Sequence, residues 1–408
     1  KLPNGLTYYI RKNAKPEKKV QLRLVVNAGS VLEDKDQRGL AHVMEHMNFN
    51  GLKHFPKNEL VNYLQSIGVQ FGADLNAYTS FDETVYILPI PTDKQNKIDS
   101  GFTILADWAG GALLDTTEIN KERGVVLEES RLNKNATSRM MKVFFPKMFN
   151  GSLYADRLPI GLDSTIQNFK PAVLSRFYKN WYRPDLMAVI VVGDIDPALA
   201  EKEIKDHFSN LKNPINEKPR PSIIPISQRK ADEAVVVTDK EFPYTVLEII
   251  NYIEPLKIKT TWADVKNSFV EDLFNSIINQ RLAELTKVAN PPFMFGNASF
   301  EEMIRGYRMF GTTAIVGDKP VKDAVNALIA TTESVKKFGF TQAELDRAKS
   351  SLLNQYEQAY NNREKTESGN LVQGYINNFL SKEPITGISK KYQFLKEALP
   401  SISLSDVN

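Results

Sequence analysis

Gly39-Leu40-Ala41-His42-Val43-Met44-Glu45-His46-Met47 decides the reading of this chain. No helix breaker interrupts the run after Gly39, and His42, Glu45, His46 and Phe49 recur three or four residues apart, the spacing of one helical face. With about 3.6 residues per turn, His42 and His46 stack and can reach one cation, with Glu45 beside them. Only four histidines occur in 408 residues, and the other two, His54 and His207, read as a loop residue and an ordinary helix position. Isolated histidines usually serve as core or surface side chains, so the weight rests on the pair. A hydrolytic zinc commonly takes three protein ligands and keeps one position for water, which leaves one ligand to be found.

The composition narrows the class. The chain has no cysteine, which excludes disulfides, thiolate nucleophiles and cysteine zinc sites and leaves histidine and carboxylate as ligands. With 42% hydrophobic and 25% charged residues it reads as an ordinary globular protein, and no stretch calls for a transmembrane segment. The net charge of +3 is spread over 52 basic and 49 acidic residues without a basic stripe, so nucleic acid is not an expected partner. The sequence opens at Lys1 without methionine or an apolar leader, as a processed or trimmed product would.

Working outward, Leu2–Ile10 and Val20–Val26 read as strands expected to pair antiparallel. Asn58–Leu64 reads as a helix, Ala77–Pro89 as extended chain, about Glu118 to Leu132 as a long helix, and Ala188–Gly193 as a β-branched strand. The proline-rich stretch 210–227 reads as a linker and divides the chain into domains 1–212 and 213–408. The second half looks like a weaker repeat of the first: Glu344-Leu345-Asp346-Arg347-Ala348-Lys349 resembles Glu118-Ile119-Asn120-Lys121-Glu122-Arg123, and Thr341 with Glu344 fits a capping box. In that register Ala348 and Gln355 stand where Glu122 and Glu129 do, and no histidine follows His207, so the second copy cannot hold the metal. Phe144, Phe145 and Phe149 read as core aromatics.

The stretch 39–47 resembles the inverted zinc motif of the pitrilysin and insulin-degrading-enzyme family of metallopeptidases. The resemblance implies a third ligand from a downstream helix bearing two glutamates two turns apart. Glu122 and Glu129 fit, Glu129 as ligand and Glu122 orienting a histidine, with Glu128 as the rival ligand about 100° around the helix. Glu45 would be the general base. Phe71–Tyr86 resembles the family's segment Asn-Ala-aromatic-Thr, so Asn76, Ala77 and Tyr78 are expected to pair with an extended substrate at a sheet edge.

The fold implied is α+β: two related domains, each an antiparallel sheet packed with helices as in mitochondrial processing peptidases, together forming one half of a clamshell. The activity implied is zinc-dependent cleavage of peptides or small unfolded proteins, in a chamber completed by a second homologous half. One departure stands out. The family's substrate-holding arginine and tyrosine, aligned through Asn279–Leu285, fall on Thr286 and Phe293, which cannot replace them, so that pair is expected from the other half. The competing reading is a non-catalytic peptide-binding, uptake or scaffold component. Absence of cysteine and resemblance to bacterial two-half enzymes point to the periplasm.

Overall fold

A computed structural model describes residues 1–408 except Phe71, residues 73–75, Asn150 and Asp318, and except the side chains of residues 251–253. It divides into two units, Lys1–Glu241 with Thr366–Leu380, and Phe242–Lys365 with Ser381–Asn408. In chain order the first unit holds β1 (Thr7–Lys12), β2 (Lys19–Val26), α1 (Leu40–Met47), α2 (Glu59–Ser66), β3 (Asn76–Thr79), β4 (Thr84–Pro91), α3 (Gln95–Gly110), α4 (Thr116–Leu132) and β5 (Met187–Gly193). Shorter helices lie between α4 and β5, and the helix Pro197–Phe208 follows β5.

Among the described residues the strand order is β1-β5-β2-β4-β3. β1 therefore does not pair with β2 as expected: β5 lies between them, parallel to β1 and antiparallel to β2. The reason is burial. Every residue of β5 is buried, which requires a covered interior position, whereas β1 is half-buried and suits an edge. On one face, Val25, Val85, Ala188, Ile190 and Val192 join Val372, Ile376 and Phe379 of the helix Ser368–Ser381 in one apolar cluster. On the other, α3 passes close over the sheet at Gly101, where an added Cβ would stand 2.4 Å from Ile90 Cδ1.

The expected division at 212/213 differs from these units, because the chain beyond it stays bound to the first. Lys218 pairs with Asp34, Arg220 reaches Asn27 O and Asp82, and Arg139 holds Asp239 and Glu241. Residues 366–380 also return to the first sheet, where Asn13 Nδ2 donates to Thr366 O and Ser368 Oγ. Sequence-local composition marked a proline-rich segment; long-range contacts set its allegiance.

The second unit has a three-stranded antiparallel sheet, β6 (Val246–Pro255), β7 (Phe295–Ile304) and β8 (Tyr307–Ile315), in the order β6-β8-β7. Helices Trp262–Leu285 and Gln342–Asn361 pack with it around Phe269, Leu273, Phe293 and Leu345. The capping box at Thr341 and Glu344 is present. Glu344 is the third residue of its helix, as Glu118 is of α4, in keeping with the repeat. Both units thus have the α+β character expected, with one parallel pair in the first sheet as the departure from all-antiparallel order.

Candidate metal centre

The site is built where α1 meets α4 and β3. α1 starts at Gly39, whose φ of +100° favours glycine and whose Cα is close against Gly161. The buried Glu33 carboxylate accepts from Gly39 N–H at 3.0 Å and Ala41 N–H at 2.8 Å, satisfying donors that a helix start leaves open. Burial pushes this carboxyl up to about 8, against those donors and the nearby Arg157 and Arg38. α4 is capped by Asp115, which accepts from Thr117 N–H and Glu118 N–H.

Three donor atoms converge. His42 Nε2 and His46 Nε2 are 3.2 Å apart, and Glu129 Oε2 lies 3.5 Å from the first and 3.4 Å from the second. This group could hold a metal ion. Such separations are edges of a tetrahedron whose centre lies about 2.0 to 2.1 Å from each corner, the bond length of zinc to imidazole and carboxylate. The donor set therefore fits zinc and leaves the fourth corner free. Glu128 turns away and pairs with Arg131 at 2.5 Å, half exposed.

The surrounding bonds orient this group. His46 Nδ1 lies 2.7 Å from Glu122 Oε1, so its N–H is donated there and Nε2 is the ring nitrogen turned toward His42 and Glu129. Asn50 Nδ2 donates to Glu122 Oε2 at 2.6 Å. Thr79 Oγ1 donates to Glu45 Oε2 at 2.6 Å. Electrostatics separate the two histidines. Burial, reinforced by the His46 charge, lowers His42 to about 4. Burial also disfavours the His46 cation, but the bonds to Glu122 and Glu129 and the Glu122 and Glu45 charges outweigh it and raise His46 to about 9. Glu129 is held below the usual carboxylate range, chiefly by hydrogen bonding with His46. Burial lifts Glu45 above that range, with Thr79 and His46 opposing.

These residues line a cleft of about 820 Å³ that also contains Asn76, Ala77, Tyr78 and Thr79 of β3. β3 is the outermost strand, paired with β4 alone in the described sheet, and Asn76 Oδ1 accepts from the Ala77 N–H. Of the segment 71–86, Phe71 and residues 73–75 lie outside the described residues. His54 is apart from the cleft, its Nδ1 2.9 Å from Asp107, and His207 stacks on Phe102. Phe145 and Phe149 pack with Phe81, and Phe149 also contacts Tyr154. Thr286 donates its hydroxyl to Ala283 O and Phe293 is fully buried, so neither offers a substrate contact of the arginine or tyrosine kind. Sequence reasoning did not single out Thr79 or Asn50. Thr79 is the threonine of the Asn-Ala-aromatic-Thr resemblance but was given no role of its own, and Asn50 carried no signal beyond lying four residues after His46.

Residues 8–151 match the model of the insulinase family, peptidase family M16, and residues 168–352 match the M16 inactive domain. The whole chain is 34% identical to the zinc protease PQQL-like of Arabidopsis thaliana, covering 40% of that protein. It is 30% identical to the probable zinc protease PqqL of Escherichia coli, covering 43%. Superposed on the crystal structure of the first half of the periplasmic protease PqqL from Escherichia coli, it gives a TM-score of 0.92 at 30% identity, covering all of this chain and 86% of that one. The chain thus spans less than half the length of these curated relatives. No described helix is long and apolar enough to cross a membrane. With the first-half fold and the two matching family models in hand, the chain belongs to peptidase family M16, the insulinase and pitrilysin family.

Proposed function

We propose that this chain is the zinc-binding catalytic half of a metalloendopeptidase that cleaves peptides or small unfolded proteins in a chamber completed by a second homologous half, in the periplasm. The observation that carries this reading is the convergence of His42 Nε2, His46 Nε2 and Glu129 Oε2 within 3.5 Å of one another, in a cleft shared with Glu45. His42, His46 and Glu129 hold zinc, which when bound supplies Lewis acidity to a water and to the scissile carbonyl. Glu45 takes the proton of the attacking water and passes it to the leaving amine. Thr79 anchors one Glu45 oxygen and so leaves the other for that transfer. Glu122 fixes the His46 ring and tautomer. Asn76, Ala77 and Tyr78 receive the substrate main chain at the β3 edge once the Asn76 side chain releases the Ala77 N–H.

The test is bound zinc per chain after zinc loading and desalting. About one equivalent in the wild type and in Glu128→Gln, with losses in His46→Ala and Glu129→Gln, supports the reading. Absence of zinc from the wild type, or normal zinc in Glu129→Gln, defeats it. A second reading, a peptide-binding component without cleavage, is favoured by one observation: Thr286 and Phe293 supply no oxyanion donor. Chelator-sensitive cleavage on adding the second half excludes that alternative, and continued inactivity with zinc bound supports it.

A further inference from the structure

The hydrogen bonds around His46 reach one residue further than zinc ligation requires. Glu122 is buried and uses both oxygens: Oε1 takes His46 Nδ1 at 2.7 Å, and Oε2 takes Asn50 Nδ2 at 2.6 Å. The same Asn50 nitrogen lies 3.2 Å from His46 O. An amide nitrogen carries two hydrogens, so one can serve each acceptor. The result is a closed ring: His46 imidazole to Glu122, Glu122 to Asn50, and Asn50 back to the His46 backbone. It ties the end of α1 to the middle of α4, the two elements that bring the metal-holding side chains.

We infer that Asn50 is a positioning residue for the metal centre: by holding Glu122 Oε2 it fixes the rotation of that carboxylate, and through it the orientation of the His46 ring. The inference rests on the zinc reading above. A carboxylate with one oxygen unrestrained can rotate about its terminal torsion, which is broad and soft. Asn50 removes that freedom. It cannot be exchanged for an acidic residue, because a carboxylate there would face Glu122 at hydrogen-bond distance, as two like charges. The bland alternative is that Asn50 only adds a further donor to the His46 carbonyl at the helix end, which already accepts from Phe49 N–H at 2.9 Å. That role would support folding without acting on zinc through Glu122.

The experiment measures zinc affinity by chelator competition, and melting of the metal-free form, in the full-length protein. The variants are Asn50→Ala, Asn50→Asp, Glu122→Ala and the double variant Asn50→Ala with Glu122→Ala. Expected is a loss of affinity in Asn50→Ala of about 10-fold or more, the scale of an outer hydrogen-bond partner of a metal ligand. Asn50→Asp, nearly isosteric, should lose at least as much, and it keeps the test decisive if the alanine variant fails to fold. The double variant should bind no more weakly than Glu122→Ala alone, since Asn50 has nothing left to hold. Wild-type affinity in Asn50→Ala or Asn50→Asp overturns the inference. So does a double-variant loss equal to the product of the two single losses, or a loss matched by an equal weakening of the metal-free fold. Wild type that takes up no zinc defeats the parent reading instead, so the two failures are distinct.

Discussion

Zinc uptake by the metal-free chain should depend steeply on pH, because the position a cation would take is held by a proton. His46 donates Nδ1–H to Glu122, so its second proton sits on Nε2, between Glu129 and His42. The carboxylates raise His46 to about 9, and His42, lowered to about 4, stays neutral through the working range. Zinc must displace the His46 proton, so apparent affinity falls as pH falls. For one proton with a pKa of about 9, affinity drops about 90-fold from pH 8 to pH 6, or about 2.7 kcal/mol; an ordinary histidine near 6.5 gives only about 4-fold. Calorimetric titrations in buffers of different ionisation enthalpy count the protons directly. About one should be released at pH 7, against about a quarter for an unperturbed histidine. Glu122→Gln keeps an acceptor for Nδ1–H but removes its charge, and should move the pH dependence toward the 4-fold limit. A pH 8 to pH 6 ratio near 4-fold in the wild type would refute the reasoning, since His46 would then carry no extra proton.

Further outcomes follow from single contacts. Glu45→Gln should keep one zinc while peptide turnover by the completed enzyme falls by about 10² or more, as expected on losing a general base; near-normal turnover in a fixed-substrate assay would remove Glu45 from that role. Thr79→Val should leave zinc content and KM unchanged and lower kcat by about 10-fold, the scale of one hydrogen bond of about 1.5 kcal/mol to a charged group, with Thr79→Ser restoring it. Gly101→Ala should destabilise the first unit by up to about 2 kcal/mol, the overpacking against Ile90 Cδ1 less the roughly 1 kcal/mol that alanine gains over glycine inside a helix. Adding Ile90→Val, which removes that atom, should recover part of the loss in thermal melting.

The parts of this protein legible in its sequence are those governed by neighbours along the chain. His42 and His46 share a face because helical periodicity is local, and the break-free run after Gly39 gives it away; the helix forms over Leu40–Met47. The same holds for the capping box at Thr341, for α4 and for the valine-rich strand at 187–193. Strand pairing was not legible. β1 and β2 are adjacent in sequence, yet β5, more than 150 residues away, lies between them because its wholly apolar run must be covered on both faces. Helical spacing alone left two adjacent glutamates open, and the preference for Glu129 came from the family resemblance; which one faces the histidines depends on how α4 is rotated against α1, which turns Glu129 inward and leaves Glu128 to Arg131. Thr79 and Asn50 were hidden for the same reason, since their partners Glu45 and Glu122 come from other elements. Sequence by itself determined which residue types stood ready on one helical face; only packing between distant segments decided which atoms meet, because those distances are set by the tertiary fit and not by chain spacing.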